Sequence, residues 1–172
     1  MPNTTTIIAS STLSSPAATI DFTSIPATFT DLLIMVYRRS VDNVLDDAIR
    51  FNNDSSSVYS FTQMQSGASS GGVGTARTAN SSASRSGGQE PSTYTANTFN
   101  SSSIYIPNYL SSTFKQFIAD GADENKSTTN YAWCHAGLWR NTAAINRITI
   151  SQEPGGNMAT GTSATLYGIK NS

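Results

Sequence analysis

The sequence predicts an all-β fold, an antiparallel β-sandwich of jelly-roll type with about eight to ten strands. Three observations predict it. Short runs of β-branched and aromatic residues recur along the chain, divided by Ser, Thr, Asn and Gly turn signals. Glu and Lys are scarce and charged residues make up only 12%, which disfavours helices, whose exposed faces need such side chains. No βαβ alternation occurs, so the strands must pair antiparallel and stack as two sheets.

The elements follow in order. Residues 1–6 are polar and read as an N-terminal arm, and residues 7–170 read as one β-sandwich domain. A short first strand is expected near 6–9. In 17–22, Ala18, Ile20 and Phe22 share one face. Pro26 cannot donate to a central ladder and marks a turn. Residues 32–39 form the most hydrophobic run. They read as a central strand covered on both faces, or as a strand at a subunit contact. Around 41–47 a helical turn competes with a loop. Residues 48–65 read as a β-hairpin: Ile49 and Phe51 alternate on one arm, Tyr59 and Phe61 on the other, and 52–57 supply turn chemistry.

The stretch 66–91 has one aliphatic residue larger than Ala, Val73. It reads as a long Gly/Ser-rich loop, either flexible or ordered by a partner. Strands are then expected at 98–106 and 113–119, with a polar loop at 120–125. In 131–139 the alternation is strict. Ala132, Cys134, Ala136 and Leu138 fall on one face, and Tyr131, Trp133, His135 and Trp139 on the other, the pattern of a strand packed on both sides. Strands at 145–150 and 162–169, with a turn at 153–157, close the domain.

The totals exclude several function classes. With 172 residues and a net charge of -1, the chain is one domain with a core and carries no electrostatic footprint for nucleic acid or an anionic membrane. A single cysteine, Cys134, excludes an intrachain disulfide framework. The first residues lack a basic segment and a long apolar run, so no secretory signal or membrane anchor is expected, and synthesis in a cytoplasm is.

No catalytic set is predicted. His135 is the only histidine, and Cys134 should point to the opposite strand face, so the two cannot act as nucleophile and base. Zinc needs more Cys and His ligands than the chain holds. The carboxylates Asp42, Asp46, Asp47, Asp120, Asp123 and Glu124 lie in expected loops, where solvation explains them. The Asp120, Asp123, Glu124 cluster offers oxygen ligands without the EF-hand spacing, and neither a metal nor a cofactor is assigned. A sugar-stacking platform of Tyr131, Trp133 and Trp139, with Tyr105 and Tyr109 nearby, competes with plain core packing.

Several stretches carry a family resemblance: Arg50-Phe-Asn-Asn-Asp54 with Val58-Tyr-Ser60, Ile104-Tyr-Ile-Pro-Asn-Tyr109, Ala136-Gly-Leu-Trp-Arg-Asn-Thr-Ala-Ala-Ile145, and the ending Ser163-Ala-Thr-Leu-Tyr-Gly-Ile-Lys-Asn-Ser172. With Ile8-Ala-Ser-Ser-Thr-Leu13 they resemble small β-sandwich virion proteins of tailed bacteriophages, of the kind found in phages of aquatic bacteria and cyanobacteria. The resemblance implies a non-enzymatic structural protein. Its leading form is a homotrimeric capsid decoration (cement) protein that binds the major capsid protein on the outer shell. The absence of a long N-terminal shaft favours that form by analogy. The alternative is a tail-fibre or spike tip that binds a host receptor or glycan.

Overall fold

The structure, a computed structural model, describes residues 4–67, 72–126, 130–153 and 155–171. Among them are eleven strands and no helix. In chain order these are β1 (Thr5–Thr12), β2 (Thr19–Phe22), β3 (Asp31–Arg38), β4 (Asp47–Phe51), β5 (Tyr59–Gly67), β6 (Gly72–Ser81), β7 (Asn100–Ile106), β8 (Lys115–Asp123), β9 (Tyr131–Trp139), β10 (Ile148–Gln152) and β11 (Ser163–Ile169). Eight strands form one antiparallel sheet in the order β1-β11-β3-β7-β8-β9-β5-β6, and three form a second in the order β2-β10-β4. The fold is the expected antiparallel sandwich, with its strands divided unevenly between the layers.

Alternation drives the layering. Directly paired residues on neighbouring strands share a face. Leu166, Ile34, Ile104 and Ala119 therefore form one inward row across β11, β3, β7 and β8. Ile20 and Phe22 of β2, Ile49 and Phe51 of β4, and Ile148 and Ile150 of β10 pack in the same core. Phe51 sits at its aromatic centre. Its ring meets Phe117 edge-on at 5.6 Å and 89°, and Trp139 at 5.6 Å, arrangements that suit the ring quadrupole. Gly137 lies opposite Phe117 in the β8–β9 register, and a Cβ there would stand inside the Phe117 ring.

Four expectations change. Residues 48–65 are not a hairpin. β4 lies in the small sheet and β5 in the large one, so 52–57 arch between layers. Asn52 and Asn53 take φ of 54° and 56°, a conformation Asn tolerates, and Phe51 and Tyr59 both enter the core. The Tyr59 hydroxyl accepts the Phe51 N–H at 2.9 Å. Second, 66–91 is not one loop. Residues 68–71 lie outside the described residues, β6 follows, and 84 together with 86–91 is buried. Third, 120–125 is not a free loop: β8 continues to Asp123, and its Gly121 lies against the Gly87 carbonyl, where a Cβ would collide. Fourth, of the expected 1–6 arm, Thr5 and Thr6 belong to β1, pairing with Ile169 and Gly168, and residues 1–3 lie outside the described residues.

Residues 82–91 do what a further strand would have done for the small sheet. Ile49 N–H donates to the Ser84 carbonyl at 2.8 Å, and Ser84 N–H returns a bond to Ile49 at 3.1 Å. Beyond it, Gly88 adopts φ +73° beneath the Trp133 indole, leaving no space for a Cβ. The glycines that made this stretch look flexible are what let it lie flat against the sheet.

Candidate interaction face

The inner face of the large sheet is covered; the outer face is not. Its registers read as rows. Ile7, Tyr167, Leu33, Tyr105, Ile118, Ala136, Thr62 and Arg77 follow one another across all eight strands. The next row runs Ser10, Thr165, Met35, Ser103, Asp120, Cys134, Met64 and Thr75, and the third Thr12, Ser163, Tyr37, Ser101, Ala122, Ala132, Ser66 and Val73. Arg77 and Asp120 are the only charged residues in these rows. Large apolar side chains stand out into solvent from them, including Ile118 (53% exposed), Met64 (54%) and Met35 (43%). Solvated sheets normally carry Lys and Glu on such positions, which discourage association.

A trough of about 420 Å³ crosses this face. Tyr105, Ile118, Ala136, Gly137, Leu138 and Arg77 line it, with Gln116, Ser60 and Thr62 adding polar groups. Arg77 and Gln116 make no side-chain hydrogen bond or ion pair among the described residues. The Tyr105 hydroxyl is fixed by donating to Asp31 at 2.8 Å. Asp31 also accepts from the Asn108 N–H and the Asn171 amide, each at 2.8 Å. Burial pushes its carboxyl up, the three hydrogen bonds outweigh it, and the net shift is downward.

Beneath the other face, the same inward row that is apolar on β3, β7 and β8 turns polar at β9, with His135 and then Gln63. Residues 82–91 roof a buried polar layer there. Arg38 pairs with Asp47, and its Nε donates to the Gly88 carbonyl at 2.6 Å. Asp47 also accepts from Ser86 N–H at 3.1 Å. Burial pushes the His135 imidazole below its ordinary value, disfavouring its charged form, with Asp47 opposing and Arg85 and Arg38 reinforcing the shift. Asp123 is raised to about 7 by burial, with the Glu90 and Glu124 charges adding to it and a bond from the Tyr131 N–H opposing.

The expected sugar platform does not assemble. Trp139 is fully buried, and its indole N–H donates to Asp54 at 2.9 Å. Trp133 is nearly so, stacked on Tyr131 at 5.3 Å with Gly88 against its indole. Tyr109 is buried too, so of these rings Tyr105 alone reaches the exposed face and Tyr131 stays half-buried. Cys134 is exposed on the outer face while His135 points inward, the separation that alternation required. Asp120 and Asp123 likewise fall on opposite faces of β8, so they cannot share a cation. Sequence reading missed Met35, Met64, Ile118 and Arg77 as members of one surface. The small-residue side of β9 was its visible trace. No family model, no curated protein and no solved structure matches this chain.

Proposed function

We propose that the chain is a non-enzymatic structural protein of a tailed-phage particle, a decoration subunit that binds the outer capsid surface and reinforces the shell. The observation that carries the reading is the eight-strand outer face, whose three rows hold two charged residues and several exposed apolar ones: an assembly surface, as a subunit of a multi-copy particle requires, whichever subunit covers it. A face built this way works by being covered. A ligand that binds only the assembled lattice stabilises it by mass action. The family resemblance of the stretches around residues 50–60, 104–109 and 136–145 supplies the phage context.

The test is quantitative mass spectrometry of purified virions, followed by adding the purified chain back to shells that lack it. A copy number comparable to that of the major capsid protein, with shells that disrupt at a higher temperature once the chain is restored, supports decoration. Low copy number confined to tails rejects it.

A second reading, a tip that binds host glycan, rests on the trough. Its Tyr105 ring, unpaired Arg77 and neighbouring Gln116, Ser60 and Thr62 suit an acidic sugar. Binding of uronic-acid oligosaccharides that disappears in Tyr105→Ala and Arg77→Ala, with the fold intact, would select this reading.

A further inference from the structure

We infer that the outer face of the eight-stranded sheet is where copies of this chain associate with one another. The inference deepens the proposed function by assigning the occupant of that face, and it rests on that reading only in taking the face as an assembly surface.

Area comes first. Eight strands at ~4.8 Å spacing, carrying three rows over ~20 Å of strand length, present ~800 Å², about what each partner contributes to a stable interface. Side-chain entropy also favours covering it. Ala122, Ala132, Ala136, Ser66, Ser101, Ser103 and Cys134 have little rotamer freedom to lose, and no Lys or Glu stands in the three rows.

Charge selects the partner. The face carries one cation, Arg77, and one anion, Asp120, neither in a salt bridge among the described residues. A strongly charged partner would find nothing to match, whereas a second copy is as weakly charged as the face itself. Relief agrees with this choice. Met35, Tyr37 and Met64 project, and the trough over Ala136 is a recess that projecting side chains can enter. The strand expected at residues 32–39 is open on this face rather than covered on both, and the inference makes it a subunit contact.

Cys134 lies in the middle row and supplies an internal reporter. The experiment is sedimentation of the purified chain, with thiol labelling by a small aromatic disulfide run alongside. The wild type is expected at a multiple of the single-chain mass of 18.2 kDa, with Cys134 protected. Ile118→Lys and Met35→Lys are expected at the single-chain mass, with wild-type circular dichroism and Cys134 reactive. Val41→Lys changes an exposed apolar residue outside the rows and should leave the assembly unchanged.

A wild type that stays at the single-chain mass at the highest soluble concentration overturns the inference. So does an assembly that survives both substitutions, or one in which Cys134 reacts at its free rate. A single-chain wild type that binds capsid shells through Ile118 would give the face to the capsid protein instead. Failure of the proposed function reads differently, as a chain that associates normally and is missing from virions.

Discussion

Arg38 of β3 and Asp47 of β4 form a buried ion pair that ties the eight-stranded sheet to the three-stranded one, with both side chains essentially inaccessible to solvent. Ser86 and Gly88 from the roofing stretch complete the shell around it. Removing one partner leaves an uncompensated buried charge. Arg38→Met or Asp47→Leu alone should therefore cost about 3–5 kcal/mol, while the two replacements together should cost clearly less than the sum. Urea unfolding of the four proteins gives the cycle, and simple additivity would show that the two residues do not act as a pair.

Tyr59 closes the arch between the layers. Its hydroxyl accepts the Phe51 N–H at 2.9 Å and reaches the Phe51 carbonyl at 3.3 Å. Tyr59→Phe keeps the ring and strands that amide, so a loss of about 1–2 kcal/mol is expected in denaturant unfolding. A neutral result would mean that the amide finds another partner.

The pH dependence has one clear contributor in Asp123. Folding raises its carboxyl from 3.8 to about 7, so the folded protein holds that proton more tightly than the unfolded chain. The contribution of Asp123 is greatest below pH 4, declines as pH rises to about 7 and then levels off. Asp123→Asn keeps an acceptor for the Tyr131 N–H and removes the titration. The stability of the variant relative to wild type should rise across that window, by up to about 1.4 kcal/mol per pH unit. Thermal or urea unfolding at pH 4, 5.5, 7 and 8 measures it, and parallel curves would remove Asp123 as the source.

Gly137 and Phe117 test the packing of β8 against β9. Gly137→Ala should destabilise by about 1–3 kcal/mol through overpacking. Combining it with Phe117→Leu should cost less than the two changes separately, because the smaller side chain vacates the space the new methyl needs. Calorimetric melting of the single and double variants decides this.

Hydrogen exchange separates the two halves of the segment between β5 and β7. The amides of Ile49, Ser84 and Gln89 are bonded in the interior at 2.8–3.1 Å and should exchange only on global unfolding. The edge-facing amides of β6, exposed along nearly its whole length, should exchange within minutes. Equal, rapid exchange at Ser84 and Gln89 would contradict a packed roof.

Fold class was legible in the sequence because alternation at Ile20 and Phe22, along residues 104–106 and through residues 131–139 reports burial directly. Alternation says which face a residue takes and nothing about its neighbour. That is why the arch at 52–57 read as a hairpin, since both connect two alternating arms through turn residues. β6 left no trace, because neither of its faces is buried and its pairing to β5 uses backbone alone. The roof at 82–91 was invisible for the opposite reason: Ser86, Gly87 and Gly88 are buried by polar contacts and close approach, which composition scores as flexible. Arg38 and Asp47 lie nine positions apart, and only the tertiary structure brings them together across the layers. The outer face was half-legible. The small residues of β9 read as one side of a strand packed on both, whereas the structure leaves that side exposed, and the extent of the face follows from strand order, which no local pattern encodes.

The pairing of β1 with β11 sets a timetable for the molecule. Thr5 meets Ile169 and Thr12 meets Ser163, so the ladder at this edge waits until nearly all of the strands have been synthesised. β3 likewise gains both of its neighbours, β11 and β7, only from later sequence. A nascent chain on the ribosome can assemble β8 with β9 early, yet it holds β3 open until β11 emerges. Slow, late completion is the expected signature: refolding rates in the range of non-local β proteins, and a chain truncated before β11 that is captured by chaperones rather than released as a smaller native domain.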